Sequence, residues 1–242
     1  MAARVVNPAA AQVKKDFGDY WRAAEKGRLE EPARQRPLLV SAHKYAVCFS
    51  QLSRAMSPME EHRRIFLQEI SSDSMHLVHA LINGDARGAR FYLRSVIENF
   101  WRHHYFRDHP IEYGWLTTRQ KYYVEMKNLR EHCSWLDCFR EGNEAWLGSL
   151  SKLYADLSTS VHSTSSRTLV LREALEDIKL AESQAAEVSK DLHAVLKACL
   201  ALSIYSENAV FLALHINIQE LLLGVLNKSH RDWLASKLPY EE

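Results

Sequence analysis

Turn-forming residues are scarce in this chain: 242 residues carry only 8 glycines and 6 prolines. A β fold of this length needs a turn about every ten residues, and tight turns draw heavily on glycine and proline. Apolar residues recur instead at helical spacing almost from end to end. The sequence therefore predicts an all-α, multi-helix bundle with a long C-terminal helix. Hydrophobic residues make up 47% of the chain, enough for one large core.

Capping and breaking residues divide the pattern. Ala9 to Lys26 reads as an amphipathic helix stopped by Gly27, and Glu30 to Pro37 as a charged linker closed by two prolines. Residues 1–36 are thus expected to form a helical appendage, and residues 37–242 the bundle. Leu38 to Met56 is the next helix. Ser57 and Pro58 then read as N-cap and first helical position of a helix ending at Asn83-Gly84. Asp85 is placed to cap Ala86 to Arg107, which Asp108-His109-Pro110 terminates. Thr117 or Thr118 is expected to cap a helix running to about Phe139, followed by Glu144 to His162. Ser163 to Thr168 is a serine- and threonine-rich loop. Leu171 to Leu226 reads as one short helix and one very long one, and Asn227 to His230 as a break before a last short helix.

Composition narrows the function classes. The net charge is +1 and the pI about 7.8, so no global positive field marks a dedicated nucleic-acid coat protein, and any RNA site must be a local patch. Four cysteines lack the density of a disulfide scaffold and read as free thiols. With no apolar run after Arg4, the N-terminus predicts no secretory leader, and a cytoplasmic location is expected. The most apolar stretch, Ala209 to Leu226, contains His215, Asn217, Gln219 and Glu220. The ionised one alone would cost on the order of 2–3 kcal/mol in hydrocarbon. That stretch is expected to be a core or dimer helix, with no membrane contact.

No glycine-rich phosphate loop, serine elbow or paired-histidine zinc helix occurs. Cys133 and Cys138 flank His132 without a second ligand pair, and His76 and His79 share a helix that needs Ile70, Leu77 and Leu81 for its core. No metal and no cofactor is predicted.

Two segments carry polar residues that a plain core would not need. Arg90, Arg94, Glu98 and Arg102 lie four residues apart and form one ladder on a helix, with Arg87 in the same stripe. Leu93, Ile97, Phe100 and Trp101 lie to its side as the buried face. Arg87 to Arg107 holds five arginines and one acid, besides His103 and His104. A phosphate site wants guanidinium forks fixed by a carboxylate. The second segment places Tyr154, Ser158 and His162 at the same spacing, along the edge of a stripe of Leu147, Leu150, Leu153, Leu157 and Val161. A histidine at such an edge keeps a pKa near neutrality and still meets a ligand. The residues by themselves leave two readings open: a phosphodiester site, or a salt-bridge ladder beside a capping histidine.

Arg94-Ser95-x-x-Glu98-Asn99 followed downstream by Tyr154-x-x-Leu157-Ser158-x-x-x-His162 resembles the HEPN superfamily, in particular HEPN-like proteins of bacterial defence and toxin–antitoxin loci. The resemblance covers about residues 57–226. It implies an all-α bundle that often dimerises, and a metal-independent endoribonuclease. Arg94 would then contact the scissile phosphate, Glu98 would orient it, and His162 would act as acid/base. Arg90, Arg102, Tyr154, Ser158, His103 and His109 would line the RNA path. The compact arginine–polar–spacer–histidine motif of that superfamily is matched only by Arg102-His103 with His109, which directly precedes Pro110. The expected partners are RNA, a second copy of the chain and a protein encoded nearby. The alternative is a non-catalytic interaction or oligomerisation subunit of a larger effector.

Overall fold

A computed structural model describes residues 32–140, 144–162 and 177–238, with positions 22, 27 and 29 before them; at positions 144, 161 and 162 the backbone alone is described. The described residues form eleven helices and no strand, apart from an isolated bridge between Leu29 and Leu180. The helices are α1 (Pro32–Ala55), α2 (Glu61–Ile82), α3 (Ala86–Asp108), α4 (Pro110–Thr118), α5 (Met126–Trp135) and α6 (Asp137–Arg140). After them come α7 (Glu144–His162), α8 (Glu182–Ser206), α9 (Asn208–Leu212), α10 (Ile216–Gly224) and α11 (Lys228–Lys237). The all-α expectation is met.

Helix α3 is the hub. It packs against α2, α5, α7 and α8, and α1 closes the layer over α2 and α8. Its expected apolar face, Leu93, Ile97, Phe100 and Trp101, is buried together with Val96. Asp85 caps it as predicted, accepting from the Gly88 amide at 2.8 Å. Gly88 is required there, because a Cβ at that position would collide with the capping carboxylate.

Other boundaries differ from the sequence reading. The expected helix over Ala9 to Lys26 and the loop over Ser163 to Thr168 lie outside the described residues. The linker read at Glu30 to Pro37 is helical from Pro32 onward, with Pro37 inside α1. Pro32 occupies a first-turn position, where its missing amide costs nothing. The turn around Pro37 is held by long-range contacts: Gln35 donates to the Leu180 carbonyl at 2.8 Å, and Arg34 pairs with Glu182 at 2.9 Å. Glu60, not Ser57, stands at the N-cap of α2, because Ser57 to Met59 form a turn that continues from α1. The helix expected from Thr117 to Phe139 is instead divided. Pro110 opens α4, and Lys121 takes a positive φ of 61° in the segment leading to α5.

The long C-terminal helix is α8, 25 residues, and it is shorter than the apolar pattern suggests. It ends at Glu207, whose φ of −110° and ψ of 39° leave the helical region. The polar residues of the following apolar stretch act as caps. Gln219 donates to the carbonyls of Leu212 and Leu214, and the His215 ring accepts from the Asn217 amide. No helix among the described residues is long and apolar enough to cross a membrane.

Glu207 is itself buried and takes the His103 ring at 3.1 Å, Arg107 at 3.3 Å and Arg63 at 3.8 Å. Burial alone would raise its pKa. The His103 hydrogen bond and the Arg107 charge outweigh that and hold it below the usual carboxylate range. This carboxylate ties α2 and α3 to the end of α8. Glu207→Ala is expected to lower the unfolding free energy by about 3 kcal/mol, since the buried partners lose their anion; denaturant titration measures it.

His104, the neighbour of His103, sits in an aromatic cage of Phe100, His103 and Phe139 at centroid distances of 4.6–4.9 Å. Neither ring nitrogen has a partner among the described residues. Burial holds the imidazole well below its usual pKa, and the His103, Arg107 and His132 rings and charges around it add to the effect. In the unfolded chain the same ring titrates near 6.5. The unfolded state therefore takes up the proton first, and stability falls as pH drops below about 6.5. In His104→Phe that acid slope should flatten, by up to about 1.4 kcal/mol per pH unit between roughly pH 6.5 and 5. Denaturant titrations of both proteins across that range provide the comparison.

Candidate functional site

The two polar ladders meet. Arg94 on α3 donates from Nε to the Ser158 hydroxyl at 3.0 Å and from Nη2 to the Tyr154 hydroxyl at 3.0 Å, both on α7. The same Nη2 lies 2.7 Å from Glu98 Oε1. The Tyr154 hydroxyl in turn donates to Glu98 Oε1 at 3.0 Å, and Ser158 donates to the Tyr154 carbonyl at 2.7 Å. Glu98 Oε2 lies 3.6 Å from Arg102 Nη2. One carboxylate thus faces two guanidinium groups and a phenol. The pair is not sealed: the Arg94 and Glu98 side chains are 19% and 14% exposed, and Arg102 is 38% exposed.

Pairing Arg94 with Ser158 and Glu98 with Tyr154 fixes α3 and α7 as antiparallel. His162, the last residue of α7, is one turn beyond Ser158. Its backbone therefore falls level with position 90, one turn before Arg94. Its side chain lies outside the described residues.

The remaining predicted residues divide. Arg90 turns toward α8, pairing with Glu187 at 2.7 Å and facing Asp191 at 3.8 Å, so two carboxylates compensate it. Arg102 stays at the cluster and donates to the Asn99 amide oxygen at 3.2 Å. His103 does not line the cluster. It is nine residues from Arg94, half a revolution away around α3, and fully buried against Glu207. His109 is at the far end of α3, where its Nδ1 meets the Tyr105 carbonyl at 2.7 Å and its ring stacks on Tyr105 at 4.2 Å. Arg102, His103 and His109 therefore point to three different environments.

Two contributors were not singled out from sequence. Asn99 relays between Arg102 and the buried Asp73, donating to Asp73 Oδ2 at 2.8 Å. Burial raises the Asp73 pKa. An asparagine between the apolar Val96 and Phe100 was the available signal. Trp101 meets the Tyr154 ring edge-on at 5.3 Å; it had been assigned only to the core.

Metal ligation finds no support in the placement of the other candidates. His76 stacks on Tyr92 at 5.1 Å, and His79 Nε2 faces the Asn83 amide at 3.2 Å, while Asp73 turns to Asn99. Among the described residues no group of three or more histidine, cysteine or acidic side chains is placed to share an ion. Burial pushes the Cys48 and Cys138 thiols up to about 12 and about 11, which removes them as nucleophiles at neutral pH. No family model matches the chain, and no curated protein or solved structure matches it.

The arrangement offers an anion a fixed cation. Two of the three Arg94 nitrogens are engaged, Nη1 makes no hydrogen bond among the described residues, and Arg102 adds a second, half-exposed charge. Arg94 and Arg102 against Glu98 leave one positive charge over. Tyr154→Phe removes both the acceptor for Arg94 and the donor to Glu98. It should lower the unfolding free energy by about 1 kcal/mol, read by chemical denaturation.

Proposed function

We propose that this chain is a HEPN-like RNA-targeting protein of prokaryotic defence or toxin–antitoxin type, acting as a metal-independent endoribonuclease. The observation that carries the reading is the joining of its two motif segments, 60 residues apart, through the Arg94–Tyr154 and Arg94–Ser158 hydrogen bonds. In this reading Arg94 and Arg102 bind the scissile phosphate and stabilise the charge that grows on its oxygens. Glu98 orients Arg94. His162 takes the proton of the ribose 2′-hydroxyl as its oxygen attacks phosphorus, then returns a proton to the departing 5′-oxygen. The phosphodiester is exchanged for a 2′,3′-cyclic phosphate and a 5′-hydroxyl end, with no oxidant or metal required.

The same reading carries a homodimer and a nearby-encoded partner. Most of α8 is buried in the chain's own core, whereas Leu212 and Ile216 are exposed apolar positions beside it. The competing reading is a non-catalytic interaction subunit. It is favoured by the closure of the cluster on itself, since every hydrogen bond of Arg94 goes to this chain.

Cleavage of single-stranded RNA in the presence of chelator separates the two. His162→Ala and Arg94→Ala should each lose about a hundredfold or more in rate. Equal cleavage by the wild type and His162→Ala would remove the assigned role, and the absence of any cleavage by the wild type would favour the interaction subunit.

A further inference from the structure

Beside the Arg94 cluster lies a cavity of about 200 Å³. Trp101 and Phe139, both almost fully buried, form its floor, and Leu147 a wall. Arg130, Ser134 and Gly148 stand at its exposed rim. The cavity is continuous with the cluster in two ways. Trp101 touches both, through its edge-on contact with Tyr154. Ser151, which also lines the cavity, precedes Tyr154 by three residues and Ser158 by seven, on one face of α7.

We propose that this cavity receives a nucleobase of single-stranded RNA whose phosphate lies at Arg94 and Arg102. The inference rests on the RNA-binding reading above and names what that site recognises. Size is the first argument. The volume falls short of the roughly 300–1,000 Å³ of pockets for drug-sized ligands, and suits a single planar ring system. Chemistry is the second. An aromatic floor accepts a base by stacking. The Arg130 guanidinium, 5.9 Å from the Trp101 ring centroid, supplies a flat cation at the rim. Serine hydroxyls both donate and accept, which matches the mixed edge of a base. Position is the third. Trp101 follows Glu98 by less than one turn of α3 and adjoins Arg102, so phosphate and base sites are within the reach of one nucleotide.

Gly148 makes the proposal testable. A Cβ built there meets no atom within 4 Å, so a side chain can enter the cavity without displacing backbone. The probes are a short single-stranded RNA, 2′-O-methylated to prevent cleavage, and the same oligonucleotide made abasic. Equilibrium binding to the full chain is measured for the wild type, Gly148→Phe, Gly148→Ala and Arg94→Ala, each checked by thermal unfolding. The wild type and Gly148→Ala should prefer the base-bearing strand about tenfold, and Gly148→Phe should bind both strands alike. Equal binding of the two strands by the wild type, or a preference retained in folded Gly148→Phe, overturns the base pocket. If Arg94→Ala then still loses affinity for both strands, the phosphate reading survives that failure. Binding by Arg94→Ala equal to the wild type, or no binding of either strand by the wild type, overturns the phosphate reading and the pocket with it.

Discussion

Glu98 is the point at which α3 and α7 are fixed to each other. Its carboxylate takes Arg94 and the Tyr154 hydroxyl on one oxygen and faces Arg102 with the other. Remove it and two guanidinium groups on one helix face repel each other, while a phenol loses its acceptor. Everything else about the cluster follows from that anion. It orients Arg94 toward Ser158, and it sets the register that brings position 162 level with position 90. A second carboxylate, Glu207, performs the corresponding task at the other end of α3, but behind a closed wall. The contrast matters. The sealed anion is fully compensated and structural, whereas the half-exposed one leaves an arginine at the surface with charge to spare.

The chain's fold class and its central ladder were legible because both are local. Helical spacing is written in every few residues, and Arg90 to Arg102 advertise a common face without reference to the rest of the molecule. Asp85 and its neighbour Gly88 announce a cap in the same way. The meeting of Arg94 with Tyr154 and Ser158 was anticipated only as a pairing of segments, on the strength of a resemblance. The atomic contacts depend on how α7 lies on α3, which no local pattern encodes.

What stayed hidden was long-range or cooperative. Pro37 looked like an end, yet α1 continues through it because Gln35 and Arg34 are anchored 145 and 148 residues downstream. Leu171 to Leu226 looked nearly continuous, yet Glu207 leaves the helix to reach cations on α2 and α3. Arg90 and Arg94 look equivalent in sequence; one turns to the carboxylates of α8 and the other to the hydroxyls of α7. His103 is spaced for neither ladder and is spent inside. Trp101 could be read only as core, since its second role appears when α5, α6 and α7 surround it.

The bonding of Arg94 constrains how it can grip anything. With Nε and Nη2 already engaged, the familiar two-pronged embrace of an anion is closed to it, and a single terminal nitrogen is left to point outward. Such a contact fixes distance but leaves rotation free. Orientation of a bound group must then be supplied by its neighbours, so the selectivity of this surface resides less in the arginine than in the walls beside it.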